Sequence, residues 1–313
     1  MKVSTIIPRF LVHWFDSDRI DPKADNSSEK IEWARLAPFI LIHAACLLVF
    51  YVGFSWTALY IAIGSYLVRM FAITGFYHRY FSHRTFKTNR FWQLLFGILA
   101  TSSSQRGPLW WAAHHREHHK VSDHDVDVHT PVKRSFLWSH MGWICCQKNF
   151  YTNYKTVKDF AKFPELVFIN RFDILAPLAY GTFIYLLGLL LSQPQFGLDI
   201  TAGQTFVWGF IVSTVVLFHA TFTINSLAHI YGKKRFNTPD NSRNNFWLAL
   251  LTLGEGWHNN HHHFPHSTRQ GFYWWEIDIT YYFLKLMSFL RIISDLKPVP
   301  EHIKKTHTKG KCS

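Results

Sequence analysis

Charge is scarce in this chain, and so is sulfur. Only 17% of the 313 residues are Asp, Glu, Lys or Arg, against about 25% in an average soluble domain. Four cysteines at this length exclude a disulfide scaffold. Sixteen glycines and twelve prolines are too few for collagen-like or low-complexity sequence. Between residues 172 and 229 there is no lysine or arginine, and between 36 and 77 only Arg69. What is abundant is apolar: 29 Phe, 13 Trp and 13 Tyr are too many to leave solvated, which excludes disorder. Histidine stands apart, with 20 residues, as many as Asp and Glu together.

The net charge of +13 raises nucleic-acid binding as a function class, and the distribution of that charge argues against it. Residues 1–35 are neutral, 78–171 hold fourteen basic and six acidic side chains, and 230–313 hold twelve and six. Basic segments alternating with basic-free blocks fit a multi-span membrane protein with its positive loops inside. Four blocks approach the roughly 20 apolar residues a spanning helix needs: 37–54, 56–77, 172–192 and 205–225. Short connections make them two hairpins and place 1–36, 78–171 and 226–313 on the cytoplasmic side. The expected fold is an all-α integral membrane protein: an N-terminal cytosolic segment (1–36), a membrane domain (37–293) with a helical cytosolic cap (78–171 and 226–293), and a basic tail (294–313). Neither a secretory signal nor a lipidation motif is visible.

Residues 91–100 and 246–253 are apolar but too short to span, so short interfacial or buried helices are expected there. Residues 272–293 mix aromatics with Glu276, Asp278, Lys285 and Arg291, which suggests a helix lying on a surface. Residues 16–30 look like a loose polar linker, and 301–313 like a frayed tail.

The histidines gather just past the cytoplasmic ends of the spans, in HRYFSH (78–83), HHREHH (114–119), NSLAH (225–229) and HNNHHH (258–263). On a helix, positions i, i+3 and i+4 share a face. His115, His118 and His119 have that spacing, and His258, His261 and His262 have it again. Each triplet can point three imidazoles at one point, which suits a transition metal. Asn225 and His229 are four apart. With His78 and His83 there are nine imidazoles from four segments, too many for one ion and about right for two. A donor set of imidazoles without thiolates favours iron, zinc or copper over calcium or magnesium. Glu117, Asp123, Asp125, Asp127 and Glu255 are candidates to hold the rings in one tautomer. His13, His43, His140, His219, His302 and His307 read as isolated polar groups, and His124, His129 and His266 as supporting or surface groups. The adjacent Cys145 and Cys146 read as buried thiols.

These boxes resemble those of the integral-membrane fatty acyl desaturases, most closely the stearoyl-CoA (delta-9) type. TGFYHRYFSHRTFK, GPLWWAAHHREHHKVSD, INSLAHIYG and GEGWHNNHHHFPHS carry the likeness, which runs from about residue 37 to 290. The resemblance implies two iron ions held by His78, His83, His115, His118, His119, His229, His258, His261 and His262, with Asn225 reaching a metal through water. His114 and His263 fall outside its pattern. The implied reaction uses O2 and two electrons to convert a saturated long-chain acyl group into a cis-monounsaturated one. A saturated acyl-CoA, which loses two hydrogens at delta-9, is the expected substrate, and Arg116 and Arg171 are candidates for binding its head group. No HPGG haem signature of a fused cytochrome b5 is present. Electrons are therefore expected from a separate ferredoxin, cytochrome b5 or flavin reductase, drawn to the basic face. The expected location is a bacterial inner membrane, rather than endoplasmic reticulum, with the active site toward the cytoplasm. The alternatives are a related histidine-box hydroxylase or oxidase and an acyl-lipid desaturase. Metal transport fits less well, because transporters place ionisable groups near the bilayer midplane and these histidines cluster beyond the spans.

Overall fold

The computed structural model describes Val12, residues 14–19 and residues 29–305. Among these residues β-structure is limited to isolated bridges, such as Ile31 with Cys146 and Lys87 with Ser294, and helices carry the architecture. α1 (Trp33–Ala45) runs on through a 3₁₀ turn to Val52. α2 (Trp56–Ser82) starts where the Ser55 hydroxyl accepts the Ala58 amide. Asn89 caps α3 (Arg90–Thr101) in the same way, and Pro108 opens α4 (Pro108–Val121) at a position that needs no amide donor. α5 (Pro164–Arg171) meets α6 (Leu175–Leu191) at a bend of 73°. A capping box between Thr201 and Gln204 starts α7 (Ala202–His229). The shorter α8 (Phe246–Leu251), α9 (His258–His263), α10 (Ile279–Phe289) and α11 (Glu301–Lys305) follow.

Among the described residues three helices are long and apolar enough to cross a bilayer: Arg35–Val52, α2 and α7. The fourth expected span falls on α6, which counts as a fourth crossing when it is joined to α5 across the bend. Phe50, Tyr51, Phe183, Leu186 and Leu190 are exposed on these helices. Outward apolar side chains in such numbers suit lipid rather than water. The second span reaches five residues beyond its expected end, so His78 lies on the helix itself. A buried cluster that includes Phe76, Tyr77, Tyr80, Phe81, Phe96 and Leu109 packs the end of α2 against α3 and α4. Phe76 and Phe96 stack with ring centroids 4.0 Å apart. That packing fixes two histidine-bearing helices relative to each other.

Three peripheral expectations change. Of residues 272–293 only α10 is helical in the main, starting where Asp278 accepts the Tyr281 amide. The polar linker is docked at both described ends. Asp16 pairs with Arg171, Ser17 donates to Asp173 at 2.7 Å, and Glu29 holds both Arg134 and Lys148. The tail is tied as far as it is described, with Lys297 donating to the Thr85 carbonyl at 2.9 Å and α11 beyond it. His13, residues 20–28 and residues 306–313, including His307 and Cys312, lie outside the described residues.

Candidate metal centre

The first histidine box depends on a change of helical pitch. Five residues apart on an α-helix means about 140° around the axis, which would point His78 and His83 in different directions. The last eleven residues of α2, Ala72–Ser82, are instead π-helical, and the His83 amide bonds the His78 carbonyl five residues back. The wider turn brings the two rings to one side, with centroids 4.9 Å apart.

α9 is too short to hold itself as a helix, and asparagines bolt it in place. The Asn244 side chain accepts the Asn259 and Asn260 amides, the Asn259 side chain accepts the Arg235 and Phe236 amides, and the Asn260 side chain donates to Glu276 and the Gln270 carbonyl. Gly256 lets the chain pass against α8: a Cβ there would collide with the Ala249 amide and the Asn245 carbonyl.

These supports bring all nine expected histidines together in two groups. His78, His83, His115, His119 and His261 form one, and His118, His229, His258 and His262 the other; within each group the candidate donor atoms lie within 4.8 Å of one another. The triplets do not each converge on one point, as their spacing suggested. α4 sends His115 and His119 to the first group and His118 to the second; α9 sends His261 to the first and His258 and His262 to the second. A shared helix face is wide enough to serve two neighbouring points, and both helices lie between them.

The donor geometry fits metal ions. Nε2 atoms lie 3.0 Å apart between His78 and His261, 2.8 Å between His83 and His115, 3.0 Å between His115 and His119, and 2.9 Å between His119 and His261. His229 and His258 meet in the same way at 3.0 Å. Burial, reinforced by the neighbouring rings, pushes His83, His115, His119, His258 and His261 well below 6.5. The neutral ring is the metal-binding form. His115, His119 and His261 each turn one nitrogen toward two other nitrogens, and neutral imidazoles cannot satisfy such a set by hydrogen bonds alone. A spacing of about 3 Å is the octahedral edge for metal–nitrogen bonds of about 2.1 Å. His262 Nε2 is buried with no hydrogen-bond partner.

Carboxylates hold the far sides of the rings. His118 Nδ1 lies 3.0 Å from Asp127, His229 Nδ1 3.0 Å from Asp123, His262 Nδ1 2.6 Å from Asp240, and His78 Nδ1 2.5 Å from Glu255. Burial opposes ionisation of Asp123, but the bonds to His229, the Asn241 amide and Thr130 win and bring it to about 2. Glu255 is lowered against its burial by His78 and Arg79, and Arg79 is itself clamped between Glu255 and Asp278. Asp123, Asp127 and Glu255 were candidates for this role. Asp125 instead pairs with Lys133 in solvent, and Glu117 accepts from Asn153 and Thr156. Asp240 was missed; no motif marks it, because its partner lies 22 residues away across a loop.

A cavity of about 360 Å³ extends between the apolar helices α1 and α7 as far as His115. His115 and Asn225 line its inner end, aromatic and aliphatic side chains such as Phe39, Ile42, Phe218 and Phe222 its walls, and Arg35, Arg106, Ser17 and Asp173 a polar part. Gln105 donates to Thr221 at 3.0 Å beside it. The two candidate head-group residues face other partners. All five N–H groups of Arg116 go to Asp159 and to the Phe81, Ser82 and Thr156 carbonyls. Arg171 forks onto Asp16. Arg116 therefore ties α4 to the end of α2 beside His83.

The remaining histidines sort by contact. His114 lies between Trp110 and Trp143, His263 stacks on Phe236, and neither enters a cluster. His129 is buried against His118, with its ring centroid 4.2 Å away. His124, His266 and His302 are exposed. His43, His140 and His219 are not isolated but joined to one another. Cys145 and Cys146 are buried, and burial raises the Cys145 thiol to about 11.

An all-helical, membrane-type protein with a paired polyhistidine centre is thus the class that the fold and site define. The sequence pattern of the fatty acid desaturase family matches residues 54–285, and the chain belongs to that family. It is 34% identical over 299 residues to an acyl-CoA 5-desaturase of Anemone leveillei, covering 91% of this chain and 88% of that one. It is 31% identical over 290 residues to an sn-2 palmitoyl-lipid 9-desaturase of Nostoc sp. (strain 36), covering 90% and 95%. With an sn-1 stearoyl-lipid 9-desaturase of Anabaena variabilis it shares 33% over 278 residues, 88% and 97% of the two chains. The chain is an oxidoreductase of lipid metabolism. The narrower likeness to the stearoyl-CoA type broadens here to relatives named for acyl-CoA and acyl-lipid substrates and for positions 5 and 9.

Proposed function

We propose that this protein converts a saturated long-chain fatty acyl group to the cis-monounsaturated product, near C9, with O2 as oxidant. In the overall reaction –CH2–CH2–, O2, two electrons and two protons give –CH=CH– and two waters. Two ferrous ions held by the nine imidazoles would supply the redox chemistry that unactivated C–H bonds require. The single observation carrying this reading is the convergence of nine imidazoles, five of them buried and four half-buried, at an apolar cavity. The chain's own residues do three things there. Phe39, Phe218 and Phe222 exclude water and hold an extended acyl chain. Asn225 lines the cavity together with His115, and Asp123, Asp127, Asp240 and Glu255 keep four rings turned inward.

For the carrier, an acyl-lipid fits better than the expected acyl-CoA. Two of the relatives act on lipid-borne chains by their names, and Arg116 and Arg171, the candidates for CoA phosphates, are already engaged by this chain. Acyl-CoA is the second reading, favoured by Arg35 and Arg106 in the polar part of the cavity and by the Anemone relative. The positive charge of 78–171 and 230–313 supports four spans with the metal end toward the cytoplasm; the membrane proposed is a bacterial inner membrane, where a separate electron carrier (ferredoxin, cytochrome b5 or flavin reductase) would dock.

Expression in a host lacking unsaturated fatty acids tests the activity. Wild type should yield a product lighter by two hydrogens, and His118→Ala and His261→Ala should yield none while still inserting in the membrane. A product heavier by one oxygen would mean a hydroxylase instead, and full activity in both variants would end the proposal.

A further inference from the structure

α1 differs from the other long apolar helices in how it is held. From Arg35 to Val52 no residue is buried, whereas half of the most apolar stretch of α2 and of α7 is buried. Yet α1 is a wall of the cavity. Leu36, Phe39 and Ile42 face it from one side, and Phe210, Phe218 and Phe222 of α7 from the other. At mid-length the seam between the two helices is closed by Phe39 against Phe218, with centroids 5.6 Å apart, and by His43 Nε2 to His219 Nε2 at 3.2 Å; at its far end the Trp208 indole donates to the Gly53 carbonyl at 3.0 Å.

The His43–His219 contact belongs to a longer chain. His43 Nδ1 lies 2.6 Å from the Phe39 carbonyl, His219 Nδ1 lies 3.0 Å from His140 Nε2, and His140 Nδ1 lies 3.0 Å from Ser226 Oγ. A carbonyl only accepts, so His43 Nδ1 carries the proton and its Nε2 accepts from His219. His219 Nδ1 then accepts from His140 Nε2, and His140 Nδ1 faces the Ser226 hydroxyl, which also reaches the Phe222 carbonyl at 2.9 Å. One backbone carbonyl thus sets the direction of the hydrogen bonds from His43 to His140. Hydrogen bonds between polar side chains inside a bilayer are individually modest. Pro38 removes one rung from α1, and the 3₁₀ turn Cys46–Leu48 interrupts its regular ladder again, so His43 sits on a short segment between two weak points.

We propose that α1 is a lateral door: the acyl chain of a membrane glycerolipid enters the cavity sideways between α1 and α7, and the His43–His219–His140 chain is the latch that closes the door behind it. The proposal rests on the acyl-lipid reading above. A lipid-borne chain stays in the bilayer, so its direct route into the cavity is through a wall that faces lipid. α1 is anchored at its ends, by Arg35 to the Ser17 and Arg19 carbonyls and by the Trp208 indole to the Gly53 carbonyl, and its middle, held by the His43 contact and aromatic stacking, is the part suited to move.

The test locks the door. His43→Cys/His219→Cys, with Cys46, Cys145, Cys146 and Cys312 replaced by alanine, is reconstituted with iron in phosphatidylglycerol nanodiscs carrying saturated acyl chains. It is then joined by a short bifunctional thiosulfonate. Cross-linking should lower desaturation of the lipid at least tenfold, and a reductant should return it to the unlinked rate. An undiminished rate at complete cross-linking would overturn the door. A second measurement needs no turnover, and so separates failure of the door from failure of the desaturase reading. Spin labels at Leu41→Cys and Val216→Cys, both on exposed positions, should report a closed and a longer distance, the longer one gaining population in His43→Leu. A single distance, unchanged by His43→Leu, would also overturn the proposal.

Discussion

The two histidine groups are neighbours built on different plans. In the five-histidine group only His78 meets a carboxylate, Glu255, among the described residues; His115 is braced by the face of Trp111, with centroids 5.0 Å apart, and its neighbours by one another. In the four-histidine group three of four rings are held by carboxylates, Asp123, Asp127 and Asp240, and Asp123 itself sits in the left-handed region at φ 61°. A strained backbone kept at such a place is held there by its surroundings. One group thus gains security from the number of its donors, the other from their orientation. If each holds an ion as proposed, the first tolerates the loss of a ring better than the second.

Removing one ring from each group is the strongest way to break that comparison. His258→Ala leaves three imidazoles, so bound iron should fall from about two to about one per chain. His83→Ala leaves four and should retain close to two at the same free iron, because a four-nitrogen set still closes around an ion. Both should lose desaturation. Iron analysis of the purified variants decides the matter, and equal metal loss in the two would remove the distinction.

The next effect is smaller and concerns orientation. Asp123→Asn keeps the shape but weakens the hold on His229, and such partners are typically worth about 10–100-fold in metal affinity. The variant should lose that factor for one ion only, seen as one of two phases in a competitive chelator titration. Uniform weakening of both phases, or none, would contradict the division of labour.

The same contrast explains what could be read from sequence. The nine rings were legible because helical spacing marks the triplets His115, His118, His119 and His258, His261, His262, and the family's boxes add His78, His83 and His229. Their division was not, since i, i+3 and i+4 neighbours look alike until α4 and α9 are seen to run between two centres. His78 and His83 required a π-helical turn that nothing in HRYFSH announces. Asp240 and the His43–His219–His140 chain were illegible for another reason: each joins residues far apart in sequence, and only packing brings them together. The apolar blocks gave α1, α2, α6 and α7 to within a few residues. The docking of Asp16, Ser17 and Glu29 was hidden because a short polar segment carries no periodicity, and its order comes entirely from partners elsewhere.

Glu29 offers the finest test. Its carboxylate holds Arg134 and Lys148, and Arg134 ends the loop that carries Asp123 and Asp127, so the contact bears on the four-histidine group and not on the other. The hydrogen bond from Arg134, then that from Lys148, lowers its pKa from 4.5 to about 2. A carboxylate lowered on folding stabilises the folded state fully above 4.5, and that contribution is lost as pH falls from 4.5 toward 2. The carboxylate is 42% exposed, so solvent screening confines its contribution to about 0.2–1 kcal/mol. Glu29→Gln should therefore lower the melting midpoint by about 1–3 °C at pH 7, with the gap to wild type closing between pH 4.5 and 3. Chelator-driven metal release from the four-histidine group alone should quicken slightly at pH 7. A gap that stays constant down to pH 3, or equal quickening at both groups, would mean that the contact does not act through the loop.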